Sequence, residues 1–154
     1  MLKKIIVFFV LVLAFTDYCP SEAFFLKKKS GKEPTSQNQV EKKILVVQIY
    51  AVWCPACKNI QPTLDLLKKE ISDIDFVRLD VSTPFKASES LQAAKDLGIE
   101  DFYKLNKSKT ATVAVFVPST KELVSVFQNN NDIDEYKAAV MDAKTKEKRA
   151  VSGT

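Results

Sequence analysis

Histidine is absent from all 154 residues, and there are only three cysteines. A structural zinc site needs four ligands drawn mostly from those two residue types, so this chain cannot assemble one. Thioether sulfur is nearly as scarce, with Met1 and Met141 alone. Excess charge is also missing: 23 basic residues against 19 acidic ones leave +4, spread along the chain. That balance is too mild and too scattered for a nucleic-acid partner. No apolar run is long enough to span a bilayer, which takes roughly 20 residues. The longest, residues 5–15, has eleven. There is no internal repeat, and the length fits one domain.

That short run has a different reading. Lys3 and Lys4 precede it, and Ser21-Glu22-Ala23 supplies small residues where a signal peptidase would cut. Residues 1–23 are therefore expected to be a secretory signal peptide, and the protein to be exported to a periplasmic or other extracytoplasmic space. Membrane contact is expected only if the segment is retained as an anchor, which Phe24-Phe25-Leu26 would lengthen. Cys19 follows Asp17-Tyr18 instead of the small residue that lipidation requires, so it is expected to leave with the signal. Residues 24–43 read as a polar linker with Gly31 and Pro34, and Lys27-Lys28-Lys29 as a solvated charge run. The domain is expected over 44–144, with a charged, frayed tail over 145–154.

A chain cut after Ala23 keeps two cysteines, both in Trp53-Cys54-Pro55-Ala56-Cys57. An exported protein with that pair alone has not used cysteine for stapling, so the thiols are there to react. The spacing by itself is ambiguous, and the flanks decide it. Ile44-Leu45-Val46-Val47-Gln48-Ile49-Tyr50 is an apolar, β-branched strand. Ile60, Leu64, Leu67 and Ile71 after the motif mark one face of a helix over 57–71. Cys54 thus stands before a helix N-terminus, where unpaired N–H groups and the helix dipole favour a thiolate. It is the expected nucleophile and the more exposed thiol, with Cys57 resolving. Pro55 suits the first helical position, where its missing N–H costs nothing.

Further elements follow the same logic. A strand is expected over 76–81, and a helix over 87–97 stopped by Gly98. The segment 99–109 is longer and more aromatic than a simple connection. A hairpin of strands 112–117 and 123–127 turns at Pro118-Ser119-Thr120-Lys121. A last helix is capped by Asp132, with Glu135 three residues on and Ile133, Tyr136, Val140 and Ala143 inward.

From residue 44 to about 143 this pattern resembles thioredoxin, most strongly through Ala51-Val52-Trp53-Cys54-Pro55-Ala56-Cys57-Lys58 and Pro62. The order β-α-β-α-β-β-α is that fold, a four-stranded mixed sheet between helices in an α/β domain. The resemblance implies an exported thiol–disulfide oxidoreductase exchanging the Cys54–Cys57 couple with protein disulfides or thiols. It would be fed by an upstream electron donor and need no cofactor. Trp53 resembles the family's aromatic that shields one side of the motif.

Three departures stand out. Gln48, six positions before Cys54, replaces the family's buried acid and cannot titrate. Glu100 and Asp101 are candidates for a substitute acid on sequence only, and read first as exposed loop charges. Thr110-Ala111-Thr112 puts Ala111 where the family has a cis-proline. A cis bond there would cost about 2.5–4 kcal/mol, so a trans bond and a reshaped loop are expected. On that view Ala111→Pro is expected to improve exchange with protein disulfides and to reduce soft-metal capture. Finally, Pro55-Ala56 lacks the histidine of strongly oxidising relatives, which favours a reducing or intermediate potential. Two other readings stay open. One is a soft-metal module that holds Cu(I) between the two thiols. The other is a redox-inactive interaction protein of the same fold.

Overall fold

The computed structural model describes residues 42–153. The expected signal segment, Cys19 and all of the linker before Lys42 lie outside them. Among the described residues, no helix is long and apolar enough to cross a membrane.

Eight elements follow in chain order: β1 (Ile44–Tyr50), α1 (Pro55–Glu70), β2 (Ile74–Asp80), α2 (Pro84–Asp96), α3 (Glu100–Asn106), β3 (Thr112–Phe116), β4 (Leu123–Gln128) and α4 (Ile133–Ser152). The sheet order is β2-β1-β3-β4. β1 runs parallel to β2 and antiparallel to β3, and β4 returns antiparallel along β3. The sheet is mixed, as its expected topology required.

Strand alternation divides the core between its two faces. Ile44 and Val46 join Val113 and Val115 under α1 and α4, which supply Ile60, Leu64, Leu67, Tyr136, Val140 and Ala143. Leu45, Val47 and Ile49 face the other way, onto Ala94, Ile99, Phe102 and Tyr103 of the α2–α3 side. β1 is central and buried on both faces, which explains its nearly unbroken apolar sequence.

Local signals account for most boundaries. α2 begins three residues earlier than expected, because the Thr83 hydroxyl accepts the Lys86 N–H (3.2 Å) and Pro84 takes the first helical position. Gly98, at φ +72°, ends it as expected. The aromatic segment after it is a short helix, α3, which buries Phe102 and Tyr103. Asp132 caps α4 through the N–H groups of Asp134 (2.8 Å) and Glu135 (3.3 Å).

The expected frayed tail needs correcting, since α4 continues to Ser152. Its later turns are anchored by Glu147, whose carboxylate accepts the N–H (3.0 Å) and hydroxyl (2.7 Å) of Ser119 in the hairpin turn. Lys146 adds an ion pair to Glu122 at 2.8 Å. A buried carboxylate meeting a turn 28 residues away leaves no periodic apolar signature, so the segment reads as unpatterned.

Candidate active site

The dithiol sits where β1 feeds α1. Ala51, Val52 and Trp53 carry the chain from the sheet to Cys54, the N-cap of α1. Its backbone is extended (φ −86°, ψ 111°), and its sulfur accepts the Cys57 N–H at 3.0 Å. Sulfur therefore takes the place that an oxygen fills at an ordinary N-cap, beside the positive end of a 16-residue helix. Cys57, one turn in, lies 3.9 Å from the Ile49 carbonyl. Both are free thiols and both are buried, Cys54 at 3% exposure and Cys57 at 0%. The expected contrast in exposure between them is thus slight, and electrostatics must distinguish the two.

It does so in opposite directions. Burial pushes the Cys54 thiol up, but hydrogen bonds from the Cys57 thiol, the Thr110 hydroxyl and the Cys57 and Ala56 backbone outweigh it. They hold Cys54 below its ordinary value. Cys57 is raised, first by burial, then by sharing its proton with Cys54 and by the charge Cys54 carries. Backbone bonds from Ala51 and Ala111 pull the other way without prevailing. A lowered pKa extends the reactive thiolate to lower pH. Alkylation of the reduced protein with limiting reagent at mildly acidic pH should therefore modify Cys54 before Cys57. Peptide mass mapping reads the order, and first modification at Cys57 would reverse the assigned roles.

The remaining expected residues take varied places. Trp53 is not in the core: its ring is 61% exposed beside Cys54, and its indole N–H donates to the Ser82 carbonyl at 3.3 Å. Pro55 is exposed at the first position of α1, Ala56 is half-buried, and Lys58 is exposed on the helix. Thr110 and Ala111 do face the cysteine pair. Ala111 is wholly buried in the same cluster as Cys54 and Cys57. No cis peptide occurs among the described residues, and Ala111 adopts φ +62°. Its N–H donates to the Ile49 carbonyl (2.9 Å), and its carbonyl accepts the Asn129 N–H (3.0 Å). The reshaped loop is therefore a left-handed residue locked between two strands.

Gln48 is fully buried on the α1 face of β1. Its Oε1 accepts from Arg78 Nε at 3.2 Å, and its Nε2 makes no hydrogen bond. Arg78 also reaches Gln61 of α1 at 2.7 Å and stacks over Tyr50 at 4.4 Å. A cation and two amides thus fill the position expected of a buried acid. The suggested substitutes are corrected by the fold. Glu100 and Asp101 open α3 on the opposite side of the sheet, and Glu100 is paired to Lys104 at 2.7 Å. Among the described residues, no group of three or more His, Cys, Asp or Glu side chains is placed to hold a metal ion.

Sequence reasoning missed the clamp on the motif loop. Ser82 Oγ accepts the Val52 N–H at 2.9 Å, while its own N–H (2.8 Å) and hydroxyl donate to Asp80. The serine and threonine before Pro84 signal a helix start, but nothing local ties them to a loop some 30 residues earlier. Gln128 and Asn129, which hold the Ala111 loop, carry no sequence signal either.

The thioredoxin family model matches residues 27–111. Thioredoxin-2 of Saccharomyces cerevisiae is 30% identical over 99 residues, covering 63% of this chain and 92% of that protein. The thioredoxin of Echinococcus granulosus is 46% identical over a shorter stretch of 39 residues, 25% of this chain and 36% of that one. Among solved structures, Fasciola hepatica thioredoxin is 20% identical, covering 66% of this chain and 82% of that chain with a TM-score of 0.46.

Proposed function

We propose, from the premise that this chain belongs to the thioredoxin family of thiol–disulfide oxidoreductases, that it is exported and exchanges disulfides with proteins through Cys54 and Cys57 at a reducing or intermediate potential. One observation carries the chemistry. The Cys54 sulfur caps α1, lowered in pKa, while Cys57 behind it is raised. Cys54 as thiolate attacks one sulfur of a substrate disulfide. The substrate S–S bond breaks, and its departing sulfur takes up a proton. Cys57 then gives up its proton and attacks Cys54 Sγ, which closes the Cys54–Cys57 disulfide and frees the second substrate thiol. Two electrons pass from the dithiol to the substrate, and a donor outside this chain must restore them.

The absence of histidine between the cysteines supports a potential nearer thioredoxin than the strong oxidants. Equilibrating the protein in graded thiol–disulfide buffers, with insulin reduction followed in parallel, tests both points. A strongly oxidising couple, or no turnover, would sink the reading. The same titration with Cu(I) present examines the metal alternative, in which the two thiols would serve as soft ligands.

Export rests on Lys3, Lys4, the apolar run 5–15 and the small residues up to Ala23. The mature protein is expected to begin at or near Phe24 when its N-terminus is sequenced. An intact Met1 on membrane-bound protein would support an anchor instead.

A further inference from the structure

We propose that Gln128, the last residue of edge strand β4, is a positioning residue of the active site: its side-chain amide spans Ala111 and holds the turn 110–112 against the two cysteine sulfurs. Gln128 Nε2 donates to the Thr110 carbonyl at 2.7 Å. Its Oε1 lies 2.7 Å from Thr112 Oγ1, a hydroxyl that is also 2.6 Å from the Lys109 carbonyl and can donate to either. The next residue, Asn129, gives its N–H to the Ala111 carbonyl at 3.0 Å. Two consecutive residues therefore grip the whole turn.

The turn has reason to need that grip. Ala111 stands at φ +62°, a conformation an L residue leaves unless its surroundings fix it. The sulfurs in turn depend on the turn. The Ala111 side chain is buried in one cluster with both cysteines, the Ala111 N–H and the Cys57 thiol converge on the same Ile49 carbonyl, and Thr110 contributes to holding the Cys54 thiol down. Gln128 is itself exposed and is bonded to neither cysteine, so it acts only through the turn. Its importance rests on the disulfide-exchange reading, but its test reads the thiol directly and stands whether or not any substrate turns over.

The measurement is site-resolved alkylation of Cys54 by iodoacetamide in the reduced full chain. The quantity is its rate at mildly acidic pH divided by that at strongly alkaline pH, where the thiol is ionised whatever its surroundings. Gln128→Ala should lower this ratio ~3- to 10-fold, part of the strength of a hydrogen bond to a charged sulfur. Gln128→Glu keeps the length and the acceptor but loses the donor to Thr110, and should lower it similarly. Val126→Ala, exposed two residues earlier on the strand, should leave it unchanged. On a Thr110→Val background, Gln128→Ala should add little, because the route is already cut. An unchanged ratio in Gln128 variants that melt like the parent overturns the proposal. So does an equal fall in Val126→Ala, or a full additional fall on the Thr110→Val background.

Discussion

Cys54→Ser is expected to reduce disulfide exchange to the uncatalysed background, while Cys57→Ser should arrest it halfway. Serine cannot form a disulfide at either position, but the two losses differ in kind. Cys54 holds the N-cap site, where the helix N-terminus and the Cys57 N–H at 3.0 Å stabilise its anion. Without it, the remaining thiol is Cys57, fully buried and still held up by that burial, so little thiolate is presented to a substrate. Without Cys57, the first attack still proceeds and the mixed disulfide on Cys54 has no resolving partner. Mass spectrometry of Cys57→Ser mixed with an oxidised protein should find a stable adduct on Cys54 that dithiothreitol releases. Cys54→Ser should give none. An adduct accumulating on Cys57 in the latter variant would exchange the assigned roles.

The second large effect concerns Ala111, and here the structure reverses a simple expectation. Restoring the family's proline should harm this protein rather than improve it. Proline fixes φ near −65°, whereas Ala111 is at +62°. It also lacks the N–H that now donates to the Ile49 carbonyl at 2.9 Å. The lost hydrogen bond costs about 1 kcal/mol, and rebuilding a buried loop adds to it, so Ala111→Pro should lose at least ~2 kcal/mol of stability. Glycine makes the informative contrast. It removes a left-handed penalty of roughly 1–2 kcal/mol but gives back about 0.5–1 kcal/mol in chain entropy and a buried methyl worth ~0.8 kcal/mol. Ala111→Gly should therefore be close to neutral. Chemical denaturation of the three reduced proteins measures the differences. Proline tolerated as well as glycine would mean that the left-handed turn is not what holds Thr110 and Ala111 against the thiols.

Much of the fold was legible because its signals are local. The β1 run, the spacing of Ile60, Leu64 and Leu67, the Gly98 stop and the Asp132 cap each act within a few residues. Misjudgements arose where contacts from elsewhere decide the outcome. The end of α4 depends on Glu147 meeting Ser119, and α3 owes its place to Phe102 packing edge-on against Phe116 at 5.2 Å. Glu100 and Asp101 could be named as acids at all only because sequence distance says nothing about which face of a sheet a helix covers. Gln48 was legible as a residue that can hydrogen-bond but not titrate, whereas its partner Arg78 lies 30 residues on and became visible only when β2 paired beside β1.

By itself, the sequence determined that a cysteine pair stands at a strand–helix junction. Two thiols three residues apart before a helix are the equipment that disulfide exchange requires. It also determined that a proline is missing opposite them. Only the tertiary structure decided what stands in its place and what that does to the thiols. Ala111 is left-handed and buried with the cysteine pair, and the backbone of Thr110 and Ala111 is held by Gln128 at the end of the neighbouring strand and by Asn129 just after it. The physical reason is that a thiol's acidity depends on donors within a hydrogen bond of its sulfur. One of those donors, Thr110, comes from more than 50 positions away in the chain, and no local pattern could have announced it.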